Sequence, residues 1–411
     1  MLYFANWKIV LISVVCALGV LLSAPNLLSP AFLAQLPDFL PRRQVALGLD
    51  LQGGSYLLLR VDVAAAQRER LNSIIDNVRN ALLDANIGYT GLAVKDNAIA
   101  FTIRDPARID AARQALTKID PDLTTTIGSD GAGTVVFSAA ATEQKRVQAV
   151  DQSIEIIRRR IDETGIKEPT IEREGADRIL VQLPGVSDPE HVKALLGRTA
   201  KLTFQLVDTG VSLEDARSGK LPLGDEVLPA EDAKNARAGP NAYVVRKRVM
   251  VGGDTLVDAQ PSFQGNEPVV SFRFDAEGAS RFADATRANV GKPFAIVLDN
   301  KVISAPIIRE AILGGSGIIS GSFTVQSASD LALLLRAGAL PAPITILEER
   351  TVGPSLGADS IHAGALACIV GVALVVVFMI LFYGLFGVFA DIALFFNLCL
   401  MLGSLTLLGA T

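Results

Sequence analysis

Three long apolar runs punctuate the chain, one near its start and two at its end. The first, IVLISVVCALGVLLS, covers residues 9–23. The second, AGALACIVGVALVVVFMILFYGLF, covers 363–386, and the third runs from Gly387 to Thr411. Each approaches the roughly 20 apolar residues that cross a bilayer core, so membrane helices are predicted at 7–28, 361–383 and 387–411. Pro25 follows Ala24, a poor sequel to a cleavage site, so the first run reads as an uncleaved anchor rather than a signal peptide. Tyr3 and Trp7 fit an interfacial anchor. The link FYGLFG allows only a tight antiparallel turn. The third run ends LLGAT with no polar flank, which reads as a truncated chain. If each flanking run spans once, both ends of the long middle region lie on one membrane face.

The middle region alternates between two periods. VRNALLDANIGYTGLAVKDNAIAFTIRDPARIDAARQAL, from Val78, and IIRRRIDETGIKEPTIEREGADRILVQLPGVSDPEHVKALL, from Ile156, share one pattern: helix, strand, strand, helix. Gly88 and Gly165 stand where a left-handed helix C-cap is wanted. KDN at 95–97 and GAD at 175–177 read as hairpin turns. RILVQL puts Ile179, Val181 and Leu183 on one face. Such units, with helices packed on an antiparallel sheet, predict an α+β fold, a ferredoxin-like base over 42–200.

Residues 201–338 read as a second α+β lobe, a head inserted into the base. Its predicted elements are the strands KLTFQLVD and PVVSFRFD, the helix AEGASRFADATRANVG, and strands paired across Asn300. The closing helix VQSASDLALLLRAG has Ser327 or Ser329 as cap. PAPITILEERTVGP then returns to the base as a strand, with the hinge to the membrane over 339–358. At the other end, LGLDLQGGSYLLLRVDV (47–63) opens the base. Gly53 and Gly54 predict a bulge or close backbone approach. Leu57, Leu59, Val61 and Val63 would line one buried face.

Composition narrows the function. Half the residues are apolar and only 20% are charged, which fits lipid-embedded segments. A net charge of -5 excludes the basic stripe that nucleic acid needs, and no basic cluster flanks the apolar runs to bind anionic lipid. The cysteines, Cys16, Cys368 and Cys399, all lie in apolar runs, so neither a disulfide framework nor a CxxC metal pattern exists.

Few motifs carry chemistry. GPSLG (353–357) matches a nucleophile elbow at Ser355, but only His362 follows it, at the mouth of a membrane run, and a hinge is the simpler reading. His191 and His362 lack metal-ligand spacing; His191 reads as an exposed helix residue. SGK (218–220) and VGK (290–292) are not phosphate-binding loops, and GGSGIISG lacks a following helix. RRR at 158–160 reads as a solvated helix face, with an acidic partner surface as the alternative. Asp391, inside the third run, is an intramembrane polar candidate; Asn397 lies on another face. No catalytic residue, metal site or cofactor is predicted.

With LGLDLQGG, RILVQLPG, VLDNKVISAPIIREAI, SGSFTVQSASDLALLLRAGALPAP and ILEERTVGPSLGADSI in this order, the sequence resembles the SecD family. These are bacterial protein-export membrane subunits related to the proton-driven RND transporters. The resemblance covers essentially the whole chain. It implies a multi-pass protein of the cytoplasmic membrane with a periplasmic base and movable head, usually with six spans. It implies pairing with SecF, work beside the SecYEG channel with YajC and YidC, and use of the proton-motive force to complete export of unfolded precursor polypeptide. The family's proton-relay aspartate lies in a fourth span, in a motif like AVDAN. This chain ends before that motif, and Asp391 is not its equivalent. The residues that match family motifs are Gly48, Asp50, Gly53, Gly54, Pro184, Gly185, Gly338, Pro341, Gly353 and Gly357.

The expectation is a non-enzymatic translocase component whose head holds emerging polypeptide. Phe263, Phe272, Phe274 and Phe323 are its candidate contacts, and Gly338, Pro341 and Pro343 its hinge stop. The rival readings are an RND-type exporter of small molecules or lipids, which a tunnel through the soluble lobes would favour, and a membrane-anchored hydrolase using Ser355.

Overall fold

In the computed structural model, the described residues are 6–28 and 53–408, apart from 167, 187, 223, 232–239 and 353. Helix α1 (Asn6–Ser23) precedes the soluble region, and α9 (Pro354–Tyr383) and α10 (Leu385–Leu408) follow it. Three stretches, Asn6–Asn26, Ala363–Tyr383 and Leu385–Leu407, are long and apolar enough to cross a membrane. The turn between α9 and α10 is a single residue, Gly384, at φ +54.

Helices α1 and α10 run parallel. Gly19 packs on Leu400, and Gly403 packs on Gly19 and Leu22. In the 3-10 turn Ala24–Leu27 that follows α1, Asn26 Nδ2 donates to Thr406 Oγ1 of α10 at 2.9 Å. Small residues let the two backbones approach, and the polar pair adds a hydrogen bond where water is absent.

Four sheets build an α+β soluble region. The base sheet has the order β16-β1-β7-β6, from β1 (Gly54–Val61), β6 (Thr170–Glu174), β7 (Arg178–Pro184) and β16 (Ile344–Val352). All its pairings are antiparallel. Helices α4 (Ala139–Glu163) and α5 (Pro189–Gly197) cover one side. Their Val150, Ile156, Ile157, Ile161, Val192 and Leu196 meet Leu57, Leu59, Val61, Ile179, Val181 and Leu183 in one apolar core. The alternation read from RILVQL is the burial pattern of β7. Val63 departs from its predicted strand. It starts α2 (Val63–Asp84), because Asp62 caps that helix by accepting from Ala65 N–H at 3.0 Å.

The two repeat copies both fold as helix–strand–strand–helix, but in different sheets. The first copy is α2, β2 (Tyr89–Lys95), β3 (Ala98–Ile103) and α3 (Ile109–Thr117). It joins β4 (Leu123–Ile127) and β5 (Ala132–Phe137) in a separate sheet of order β2-β3-β5-β4, with its own core. The second copy, α4 to α5, is the heart of the base. Asp96 and Asn97 adopt φ 46° and 61°, as the KDN turn demands. Gly165 takes the left-handed position after α4, at φ +76. After α2 that position falls to Asn86 at φ 55 rather than Gly88, because Asn tolerates it through its short polar side chain.

The chain between α5 and β16 forms the head. One sheet has the order β14-β13-β8-β10-β9: β8 (Leu202–Val207), β9 (Asp225–Pro229), β10 (Ala242–Gly252), β13 (Phe294–Leu298) and β14 (Lys301–Ser304). The short helix α6 (Leu213–Arg217) connects β8 to β9. The other sheet has the order β11-β12-β15: β11 (Leu256–Gln264), β12 (Glu267–Phe274) and β15 (Ser316–Ile319). Helices α7 (Ala276–Ala288) and α8 (Val325–Ala337) pack with them around Phe204, Phe272, Phe274, Phe282 and Phe294. The ring centroids of these five lie 5.2–6.1 Å apart where they touch. Asp299 and Asn300, both at positive φ, turn β13 into β14 as predicted. The cap of α8 is Thr324, in a reciprocal box with Ser327, instead of Ser327 or Ser329 alone.

Candidate functional site: the head surface and its hinge to the base

Two chain crossings join head to base: Arg198–Lys201 going out, and Gly338–Pro343 coming back. They bond to each other, since Leu340 N–H donates to Thr199 O at 2.8 Å. The return crossing is tied to the base where Asp62 N–H donates to Pro343 O at 2.8 Å. Gly338 has φ +92 and Ala200 φ +60, so both crossings turn through the left-handed region. Pro341 and Pro343 supply no N–H there and keep the return path extended.

A cation from the base and an anion from the head grip the outgoing crossing. Arg160 Nη1 donates to Leu195 O at 2.8 Å and also to Arg198 O; its Nη2 donates to Thr199 O at 3.3 Å and Gly338 O at 3.2 Å. On the head side, Asp299 accepts from Ala200 N–H at 3.0 Å and Lys201 N–H at 2.9 Å. Arg160 is wholly buried at 0% exposure. Burial pulls its guanidinium down to about 10, against a smaller upward pull from Asp299, so it stays charged at neutral pH. The carbonyl end of α5 supplies the negative potential that holds it.

This corrects the solvated reading of RRR. Arg158 and Arg159 are exposed, whereas Arg160 turns inward. The signal was present: Ile156, Ile157 and Ile161 surround position 160 on the apolar stripe of α4.

Charged pairs flank the hinge. Arg336 on α8 meets Glu163 on α4, and its Nε and Nη2 also donate to Ala259 O at 3.1 and 2.9 Å. Lys201 pairs with Glu69 of α2. His191 is about one-third exposed rather than fully exposed, and its Nε2 lies 3.5 Å from Asp330 Oδ1 on the head.

The glycine-rich entry sits on the base sheet. Gly53 has φ +71 and Gly54 φ +137. Gly54 pairs with Pro184 on one side and Val352 on the other. A Cβ on Gly54 would strike Leu183 O, and Gly185 N–H donates to Gly53 O at 2.9 Å. The motifs LGLDLQGG and RILVQLPG thus touch, and the close approach explains the glycines. Gly48, Asp50 and Gly353 lie outside the described residues. Ser355 and Gly357 fall in the first turn of α9.

The four head phenylalanines separate. Phe263 is 62% exposed near the end of β11, whose one strand neighbour among the described residues is β12. Phe323 is half-buried against the head core. Phe272 and Phe274 face that core and offer no surface to a polypeptide, because even positions of β12 point inward. Val257, Ile307, Leu313, Ile318 and Val325 are further exposed apolar residues of the head. In the membrane segment, both carboxylate oxygens of Asp391 are buried without a partner among the described residues. Gly387, one turn earlier on α10, abuts Met379 O of α9, so Asp391 lies on the side of α10 turned to α9.

Comparison with known proteins agrees along the whole chain. Residues 225–342 match the family model "SecDF, P1 head subdomain", and residues 150–209 match "Protein translocase subunit SecDF, P1 domain, N-terminal". The protein translocase subunit SecD of Acetobacter pasteurianus is 47% identical over 418 residues, covering 100% of this chain and 78% of that protein. The SecD of Rickettsia conorii is 43% identical over 408 residues, covering 99% of this chain and 77% of that protein. Among solved structures, SecDF in a super-membrane-facing form is 26% identical with a TM-score of 0.46, covering 99% of this chain and 43% of that one. SecDF of Thermus thermophilus, a translocon-associated membrane protein, is 26% identical with a TM-score of 0.40, covering 99% and 44%.

Proposed function

The chain belongs to the SecD family of protein translocase subunits, and from that premise we propose that it serves Sec-dependent protein export. It does so as a multi-pass protein of the bacterial cytoplasmic membrane with its soluble region in the periplasm. It acts without enzymatic chemistry of its own, pairs with SecF, and couples the proton-motive force to late export of unfolded precursors. SecYEG, YajC and YidC are the further partners in this reading. The base, with strand order β16-β1-β7-β6, is read as ferredoxin-like.

The observation that supports a polypeptide-holding head is its construction. It is a separate lobe with its own aromatic core, joined by two adjacent crossings and carrying exposed Phe263. An extended chain emerging from a membrane channel presents apolar side chains and unpaired backbone groups. An exposed aromatic beside a strand with one neighbour complements both.

The test is export in cells depleted of the native protein. A radiolabelled precursor is followed to release, with and without an uncoupler, while a photo-crosslinking phenylalanine stands at position 263 or 272. Force-dependent release that needs the protein, with adducts to the precursor from 263 and none from 272, is the expected result. Release that is indifferent to depletion sinks the export reading, and adducts from neither site remove the head from it.

A further inference from the structure

A buried guanidinium is costly unless its donors are matched, so the identity of its partners shows what it is used for. Among the described residues Arg160 forms no ion pair, and Asp299 acts on it only at longer range. Its Nη1 and Nη2 donate to carbonyls at the carboxyl end of α5 and on the outgoing and returning crossings. Its Nε finds no partner among the described residues. The stripe around it on α4 is otherwise apolar, through Ile156, Ile157 and Ile161. A leucine there would serve the base core as well, so the guanidinium serves the crossings.

The planar fork divides the work. Nη1 holds Leu195, in the last turn of α5 and so of the base, and Arg198, where the outgoing crossing begins. Nη2 holds Thr199 and Gly338, one residue from each crossing. Thr199 is also where the crossings meet, because Leu340 N–H bonds its carbonyl. Gly338, at φ +92, presents its carbonyl from a conformation that other residues resist.

We propose that Arg160 is the head-positioning residue. It fixes the angle at which the head leaves the base, and the Nη2 bonds to Thr199 and Gly338 are the ones that open when the head turns. This deepens the export reading only in taking base and head as bodies whose relative angle matters. A lysine keeps the charge but is a single point donor and cannot span both pairs of carbonyls in one geometry.

The test uses the full chain in lipid nanodiscs, with Cys16, Cys368 and Cys399 replaced by alanine. Spin labels are placed at Glu172 on the base and Gln264 on the head, both exposed. Electron–electron distance distributions are compared for the parent, Arg160→Lys and Arg160→Met, and thermal unfolding confirms that each variant is folded. The expected result is a broadened or displaced distribution in both variants. Faster amide exchange at Leu340 should accompany it. If Arg160→Met does not fold, Arg160→Lys supplies both readouts. Parent-like distributions and parent-like exchange at Leu340 in the folded variants overturn the proposal. Export is scored separately: a displaced head with undiminished export upholds the positioning role and counts against the head's part in export.

Discussion

Arg336 on the head and Glu163 on the base meet at two points, with Arg336 Nη1 3.0 Å from each carboxylate oxygen. The pair is partly exposed, and such pairs contribute about 0.2–1 kcal/mol. Arg336 does more, because two of its nitrogens also hold the Ala259 carbonyl, on a residue buried within β11. Removing it leaves that carbonyl without its charged donors.

The two partners should therefore respond unequally. Glu163→Ala should lower stability of the head transition by less than about 1 kcal/mol. Arg336→Ala should lower it by about 2 kcal/mol, through the lost charged hydrogen bonds. Chemical denaturation of the purified single variants and the double variant measures both, and equal losses would show that the Ala259 contact contributes nothing.

Gly54 and Gly165 test how a left-handed glycine is used. Gly165 has φ +76 with open space around a Cβ, so Gly165→Ala should cost about 1 kcal/mol, the backbone term alone. Gly54 has φ +137, and a Cβ there meets Leu183 O and Pro184 Cα inside the base sheet. Gly54→Ala should cost about 2–4 kcal/mol, read as a lowered melting temperature and poor accumulation in the membrane. Similar losses at the two sites would mean that the sheet relaxes around Gly54.

The same glycines show what was legible in advance. Local rules found the turns at Asp96–Asn97 and Asp299–Asn300, since a two-residue hairpin demands positive φ from those residues themselves. They found the helix–strand–strand–helix repeat for the same reason. They could not assign its copies to different sheets, because that choice rests on pairings between distant segments, such as Gly54 with Pro184 of the second copy. Arg160 hides its role in the sequence, because the charge run it ends suggests a solvated face although its position falls on the apolar stripe of α4. Phe263 and Phe272 are indistinguishable by composition and share one face of the β11–β12 pair, since Phe263 lies opposite Pro268 and Phe272 opposite Ala259; they differ in place along it, Phe272 over the head core and Phe263 at the hairpin end, where residues 260–264 are all exposed.

Asp225 predicts a pH dependence in the head. It is buried in β9, one carboxylate oxygen lacks a partner among the described residues, and burial with Asp208 close by pushes its carboxyl above the ordinary value. The folded form thus holds this proton more tightly than the unfolded form does. Asp225 imposes no penalty below the unfolded value of about 3.9, and the penalty grows as pH rises through the raised value. Asp225→Asn should raise the head's melting temperature at pH 7, with the gain shrinking toward pH 4. Melting curves of parent and variant across that range decide it; a gain independent of pH would assign the effect to packing rather than titration.

The last prediction concerns the membrane helices. Helices α1 and α10 touch through Gly19, Gly403 and Leu400, and their ends are joined by Asn26 and Thr406. A Cβ on Gly19 already comes within 2.7 Å of Leu400 Cδ2, so a leucine there must push the helices apart. Overpacking of this kind costs about 1–3 kcal/mol. In lipid the Asn26–Thr406 hydrogen bond adds only about 0.6 kcal/mol, too little to hold the ends together alone. Cysteines at 26 and 406, in a chain whose native cysteines are replaced by alanine, should crosslink efficiently with a short bismaleimide in the parent. Gly19→Leu should reduce that yield sharply, whereas Gly364→Leu should not, because Gly364 has open space around it on α9. If Gly19→Leu leaves the crosslink intact, the packing of α1 on α10 at Gly19 is not what brings Asn26 and Thr406 together.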